Sequence, residues 1–499
     1  MGGLLQDVRI AARRLVQAPG LTLIVVLTFA LGIGANTALF TLFDRVIVRP
    51  LPVREPDRLV LLHGPGTNRG MISRNKETPF PMSHPMYEAI RDTASDFAGV
   101  LAYFSAPAHL AAGDQPERVD AELVTGTYFP VLGLTATRGR LFQPSDDEAP
   151  MGHPVVVLGH AYWMRRFAGD AAVIGTTVTV NALPMQVVGV APPTFTGLEV
   201  GRDPAIYVPM AMKRQLTPTW DMLDDPRALW MTAVARLRDG VTLEQATASA
   251  NVLYAQILAG ELAQMSNVSD TFRQRFLAKK LELLDARSGA SGFREQNDTP
   301  LRILVTTAAL VLLVACLNVA NLLFVRATRR QREMAVRLSL GAGRARLVRQ
   351  LIVEGGLLAL LGTGAGLVVA AITLPFLVGL LPDPDLRRAM STAIDGRMLV
   401  FALGAGLSCV LLSAVLPAWQ ATRTSLTPAL REGAGATAAG GQRIRTGLVV
   451  AQVALSLGLV FGAGLLVRTL ARLTAATPGF EVTRLMTFSV SPELAGYPN

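Results

Sequence analysis

LRILVTTAALVLLVACLNVANLLFV (Leu301–Val325) and LIVEGGLLALLGTGAGLVVAAITLPFLVGLL (Leu351–Leu381) enclose RATRRQREMAVRLSLGAGRARLVRQ (Arg326–Gln350), and this arrangement decides the fold. The first run is about 37 Å long as a helix, enough to cross a bilayer with some tilt. The second is also long enough, even with a break at Pro375. The segment between them holds Arg326, Arg329, Arg330, Arg332, Arg337, Arg344, Arg346 and Arg349 against a single acid, Glu333. A short loop of that composition stays on the cytoplasmic side, which orients the remaining chain.

The composition agrees with membrane segments rather than one large soluble core: of 499 residues, 51% are hydrophobic and only 17% charged. The net charge of +10 does not indicate nucleic acid. Its arginines flank apolar runs, where topology and anionic headgroups account for them, and no helix-turn-helix, zinc or aromatic-basic pattern accompanies them. Both cysteines, Cys316 and Cys409, fall inside expected spans, so neither a disulfide framework nor a cysteine metal site is indicated.

Outward from the central segment, residues 1–20 read as a cytoplasmic amphipathic helix. Leu4, Val8, Ala11 and Leu15 share one face, Arg9, Arg13 and Arg14 lie largely off it, and Pro19-Gly20 ends it. Residues 21–43 form the first span, a retained anchor rather than a cleaved signal because the apolar run is too long for a signal h-region. From 44 to 300 no run is long enough to span, and this stretch reads as a mixed α and β extracytoplasmic domain. TTVTVNALPMQVVGVA (Thr176–Ala191) alternates about Asn181-Ala182 as a hairpin, and PVVVLG (Pro154–Gly159) reads as a buried strand. Thr242 with Gln245 forms a capping box before a helix whose apolar face is Leu243, Ala246, Ala250, Leu253 and Ile257.

Spans are expected at 301–325, 351–381, 398–419 and 446–467, with a basic, glycine-rich cytoplasmic linker at 420–445. Together with the first span they make five crossings, and their parity puts both arginine-rich loops on the same inner side. The order of basic helix, span and REPDRLVLL (Arg54–Leu62) recurs as RIR, span and EVTRLMTFSV (Glu481–Val490). Residues 468–499 therefore read as the start of a second outer domain.

One span, a large outer domain and three further spans with a basic loop between the second and third resemble the MacB/FtsX family of ABC-transporter permeases. The residues carrying the resemblance are NVANLLFVRATRRQREMAVRLSLGAGRARLVRQLIVEG (Asn318–Gly355), close to the family's E-[IM]-[AG]-[IV]-R-x-[AS]-[LI]-G-A motif followed by R-Q-x-[LI]-x-E. In the outer domain, RPLPVREPDRLV (Arg49–Val60), LVTGTYFPVLGLTATRGRLF (Leu123–Phe142) and VVGVAPPTFTGL (Val187–Leu198) look like the MacB-type periplasmic domain. Among subgroups the chain is most similar to the duplicated, acidobacterial-type permeases, of which it would be the N-terminal half plus the start of a second. The fold so implied is an α-helical transmembrane bundle with an α+β MacB-type periplasmic domain inserted between spans 1 and 2, in a bacterial inner membrane.

No G-x-x-x-x-G-K-[ST] phosphate loop occurs, and GAGRAR at Gly341–Arg346 reads as a helix break, so no enzyme activity is expected and ATP hydrolysis falls to a separate subunit. There is no H-E-x-x-H, and the five histidines, His63, His84, His109, His153 and His160, are scattered. No cofactor or metal is expected. The arginine-rich loop is either a topology signal alone or a coupling helix for a cytoplasmic ABC ATPase. The second reading assigns coupling to Arg332, Glu333, Met334, Arg337, Leu338, Gly341, Arg349 and Gln350, with Glu333 and Arg337 spaced for an i,i+4 pair. Glu354, at the mouth of the third span, requires a partner or the interface. Asn318 and Asn321 are placed to bond a neighbouring helix, and Gly355, Gly356, Gly362, Gly364 and Gly366 permit close helix approach.

The resemblance implies a permease that relays ATPase motion to the outer domain for efflux or envelope export. Its partners would be the ATPase, a periplasmic adaptor or outer-membrane channel, the bilayer, and a dimer mate or second permease half. The alternative is a sensory protein signalling envelope state to a kinase or periplasmic hydrolase.

Overall fold

In the computed structural model of this chain the described residues of every apolar run are helical, the third as far as Gly379 and the fourth being α-helical over Gly396–Val410 and π-helical over Leu411–Val415, with 416–419 outside the described residues. The structure describes residues 2–72, 80–113, 116–199, 201–218, 220–290, 292–329, 344–381, 387, 390, 393–415 and 438–474. Two units are distinguished: Met1–Arg45 with most of the chain after Thr299, and a domain built mainly from Val46–Asp298.

The helical unit begins with α1 (Gly2–Gln17) and α2 (Pro19–Phe43), separated at Ala18 because Pro19 occupies a first-turn position, where its missing N–H costs nothing. The other helices of this unit, numbered after those of the domain, are α9 (Gly292–Arg329), α10 (Arg344–Gly379), α11 (Gly396–Val410) and α12 (Ala438–Thr474). Five segments within them are long and apolar enough to cross a membrane: Pro19–Val48, Asp298–Arg326, Val348–Gly379, Gly396–Ser413 and Thr446–Thr469. Pro375, at which a break was allowed for, lies inside α10, and the helix continues through it.

Small residues let α2 and α10 approach closely. A Cβ on Gly362 would come within 2.5 Å of Phe29 Cβ, and one on Gly34 within 2.7 Å of the Gly366 carbonyl. Gly356 and Gly364, on other faces of α10, meet nothing within 4 Å. Asn36 donates to the Gly32 carbonyl at 2.9 Å and to the Ala308 carbonyl of α9 at 2.8 Å, so one amide joins two spans. Cys316 on α9 and Cys409 on α11 are free, buried thiols with sulfurs 3.2 Å apart. Leu23, Ile24, Leu27 and Leu31 on α2, and Leu361, Val368 and Ile372 on α10, are exposed. That much apolar surface suits acyl chains and not water.

The α1 face differs from the sequence expectation. Ala11 and Leu15 of the expected face are buried, but Val8 is exposed and Asp7 is buried in its place. The buried Asp7 is held by an ion pair, described below.

The domain is a mixed sheet. Its strands are β1 (Leu59–His63), β2 (Pro81–Met82), β3 (Phe97–Ala111), β4 (Pro116–Val124), β5 (Arg138–Gly139), β6 (Val155–Leu158), β7 (Thr177–Val180), β8 (Leu183–Val190), β9 (Ile206–Pro209), β10 (Met231–Leu237) and β11 (Glu282–Asp285). The main order is β11-β1-β10-β3-β4-β9-β6-β8-β5, antiparallel except for the β4–β9 and β6–β8 pairs. Both faces are covered, which is why LVLL in β1 is apolar at every position rather than alternating. Val60 and Leu62 join a core shared with α3 (His84–Thr93), α7 (Leu243–Ala263) and α8 (Asp270–Leu277), while Leu59 and Leu61 face α4 (Tyr128–Leu132), Phe142 and Phe195. Two further short helices, α5 (His160–Phe167) and α6 (Lys213–Leu216), complete the domain.

The expected hairpin is β7–β8, with Val180 opposite Leu183. Asn181 and Ala182 both have positive φ, 45° and 67°, the conformation a two-residue turn of matching twist needs. Asn181 is held there because its side chain accepts from His109 N at 2.7 Å and donates to Gln215 O at 3.0 Å. The capping box at Thr242 and Gln245 has both its bonds. The buried stripe of α7 is Ala246, Ala250, Tyr254, Leu258 and Leu262, so Leu243 is exposed where it was expected to pack.

Among the buried ionisable groups of this domain are Glu122 and Lys213. Glu122 on β4 accepts from Tyr128 Oη at 3.4 Å, and burial pushes its carboxyl up to about 8. Lys213 donates to Thr217 Oγ1 at 2.7 Å and Trp220 O at 2.9 Å, with its ammonium 3.5 Å from the Trp220 ring centre. Burial pulls it down to about 7.

Candidate functional site

The ends of α9 and α10 that adjoin the arginine-rich segment carry a cluster of paired charges. Glu354 lies on α10 with its side chain 5% exposed. Its Oε1 is 3.1 Å from Arg326 of α9 and its Oε2 is 3.8 Å from Arg14 of α1. One carboxylate therefore joins three helices. A buried carboxylate is tolerated at such depth only where cations offset its desolvation, and two guanidinium groups do so here. Arg326 also donates to the Arg14 carbonyl at 3.4 Å, at the C-terminal end of α1 where a cation complements the helix dipole.

A second pair lies beside the first. Arg349 of α10 donates to Asp7 of α1 at 2.7 Å, with the carboxylate 3% exposed. The signs alternate: acid on α1 meets base on α10, then base on α1 meets acid on α10. Asp7 meets Arg349 on the side of α1 where Ala11 and Leu15 are also buried. The sequence signal was present, since Asp7 is the sole acid of a basic leader.

Of the other coupling residues named from sequence, Gln350 is half-buried near the start of α10. Arg332, Glu333, Met334, Arg337, Leu338 and Gly341 lie outside the described residues. Asn321 donates to Gln452 of α12 at 3.2 Å. Asn318, one turn earlier, is half-buried, and no side-chain hydrogen bond of it is found among the described residues. Sequence reasoning did not single out Asp7, Arg14 or Asn36, whose partners are hundreds of positions away.

A site of this kind has no nucleophile, acid–base dyad or ligand cage among the described residues. Its ion pairs tie α1, α9 and α10 together next to the segment that joins the latter two.

Two families match this chain. The MacB-like periplasmic core domain covers residues 22–252 and the FtsX-like permease C-terminal domain covers residues 305–426. Among curated proteins, the chain is 25% identical over 382 residues to the macrolide export ATP-binding/permease protein MacB of Nitrobacter winogradskyi, covering 74% of this chain and 52% of that one. It is 24% identical over 442 residues to the protein of the same name from Azoarcus sp., covering 86% and 60%. The chain thus spans about half the length of the curated relatives it matches. Among solved structures, the periplasmic region of MacB from Actinobacillus actinomycetemcomitans aligns at 16% identity, covering 46% of this chain and 89% of that one, with a TM-score of 0.32. With a MacB-like periplasmic core domain followed by an FtsX-like permease domain on a bundle of membrane-spanning helices, the chain belongs to the MacB/FtsX family of ABC-transporter permeases.

Proposed function

We propose that this chain is the permease subunit of an ABC-type transporter of the mechanotransmission class, in a bacterial inner membrane. It relays the motion of a cytoplasmic ABC ATPase through the spans to the periplasmic domain, for efflux or envelope export. The observation that carries this reading is the succession of the two family matches in one chain, the first on the outer domain and the second on the helices that flank the arginine-rich segment. The curated relatives are named as ATP-binding/permease proteins. Within these 499 residues there is no phosphate loop, so the ATP-binding part is assigned to a partner.

In this reading the loop Arg326–Gln350 docks on the ATPase through Met334 and Leu338, and Glu333 pairs with Arg337 to hold the helix that presents them. Displacement of the loop reaches α9 through Arg326 and α10 through Arg349, and passes to α1 through Asp7 and Arg14. A periplasmic adaptor or outer-membrane channel is the partner of the outer domain, and a second permease half or a second copy completes the bundle.

The test alters shape and keeps charge. Met334→Ser with Leu338→Ser removes apolar anchors worth about 1 to 3 kcal/mol each when buried in a groove and retains all eight arginines of the loop. Loss of ATPase pull-down and of ATPase stimulation, with normal membrane insertion, is expected. Unchanged pull-down and stimulation would reduce the loop to a topology signal.

A further inference from the structure

The opposite end of the spans carries a second, different arrangement of charges. α2 ends at Phe43, and Asp44 and Arg45 open a wide π-helical turn, Asp44–Val48. Arg45 is the last residue of the helical unit before the periplasmic domain begins at Val46. Along the chain, α2 is joined to that domain through these two residues.

Their partners stand at the start of α11. Arg397 donates to Asp44 at 2.8 Å. Arg45 is 3.7 Å from Asp395 and donates to the Ala393 carbonyl at 2.7 Å. Asp395 is also the N-cap of α11, accepting from Met398 N at 2.9 Å, so its carboxylate is fixed before Arg45 reaches it. One turn deeper, Phe40 and Phe401 stack with ring centres 4.0 Å apart and planes 5° from parallel. Phe40 precedes Asp44 by four positions and Phe401 follows Arg397 by four, as two helices running in opposite directions require.

Simple snorkelling of charges at a membrane edge does not describe this. The Asp44 side chain is 6% exposed and that of Arg45 is 9% exposed, so both are held between elements and not extended into water. The pairing is also crossed. An adjacent acid and base at the end of α2 meet a base and an acid at the start of the antiparallel α11, so a shift of α2 outward would bring Asp44 to Asp395 and a shift inward would bring Arg45 to Arg397. Like charges would then face each other, and the contact has one favourable register instead of a graded series.

We infer that the crossed pairs Asp44–Arg397 and Arg45–Asp395 form a latch that fixes the outer end of α2 against α11 and opens when the periplasmic domain is moved. Asp44, Arg45, Asp395 and Arg397 are positioning residues and touch no substrate. The inference rests on the relay proposed above.

The test uses the full chain with its ATPase in lipid nanodiscs. Ile394→Cys, at an exposed position, reports through its rate of reaction with a hydrophilic maleimide, the two native thiols being buried. ATP with vanadate is expected to raise that rate about fivefold or more in the reporter protein. Asp44→Arg and Arg397→Asp should each reach the raised rate without ATP, Asp44→Asn an intermediate one, and the double exchange Asp44→Arg with Arg397→Asp should restore both the slow rate and the ATP response. Single variants that label as slowly as the reporter protein without ATP, or a double exchange that stays as fast as the single ones, would overturn the latch. If ATP with vanadate changes nothing in the reporter protein, the relay reading fails instead, and the ATP-free rates still decide whether the crossed pairs hold one register. Should the reversals fail to insert, Asp44→Asn alone decides: a raised ATP-free rate supports the latch and an unchanged one removes it.

Discussion

Asp7 and Arg349 lie 342 positions apart in sequence and form an ion pair of 2.7 Å that fastens the N-terminal helix to the third span. The acid is buried and the base half-exposed, so the pair stands between a surface bridge and a buried one. Asp7→Arg or Arg349→Asp alone is expected to destabilise the folded protein in mild detergent by about 1 to 3 kcal/mol, read by denaturant titration. The double exchange should recover most of that loss. Failure of the exchange to recover any would show that α1 is held by Ala11 and Leu15 alone.

The two glycines Gly362 and Gly364 should respond oppositely to alanine. At Gly362 the new methyl would meet Phe29 at 2.5 Å, separating α2 from α10 and costing about 1 to 3 kcal/mol. At Gly364 the space is open, and a gain of up to about 1 kcal/mol is expected from helix propensity. Thermal aggregation of the detergent-solubilised variants measures both, and equal effects would contradict the packing described.

The excised domain Val46–Asp298 should fold alone and melt cooperatively, because its cores are built from its own strands and helices. Its stability should depend on pH through Glu122. Burial raises this carboxyl from 4.5 to about 8, so the folded state binds a proton that the unfolded state releases. That contribution is complete below the unfolded value and lost as pH rises through the folded one, so the melting temperature should fall between about pH 4.5 and 8 on this account. Glu122→Gln keeps a neutral side chain at all pH values and should flatten this part of the profile. An unaltered slope in the variant would assign the pH dependence to other groups.

Cysteine labelling checks the sidedness. Val252→Cys, on the exposed face of α7, should react with an impermeant maleimide added to intact spheroplasts, whereas Arg330→Cys should react only after permeabilisation. Reaction of both from outside would reverse the topology on which the coupling proposal depends.

The long apolar runs, the Asn181-Ala182 turn and the Thr242 capping box were legible in the sequence by itself, because each is decided by residues within a few positions of one another. A span needs only enough consecutive apolar residues, and a cap only an oxygen three residues before an N–H. The sidedness expected for the arginine-rich segment rests on its composition and is what the cysteine labelling measures. Tertiary structure alone decided which face of α1 packs, which glycines of α10 meet α2, and which cations offset Glu354. Those outcomes depend on how helices hundreds of positions apart are rotated against each other, and burying Asp7 in place of Val8 beside the same Ala11 and Leu15 leaves helix length, hydropathy and periodicity unaltered. The crossed charges at Asp44, Arg45, Asp395 and Arg397 were invisible for the same reason: as sequence they are two ordinary ends of spans, and only the antiparallel approach of α2 and α11 makes them a matched set.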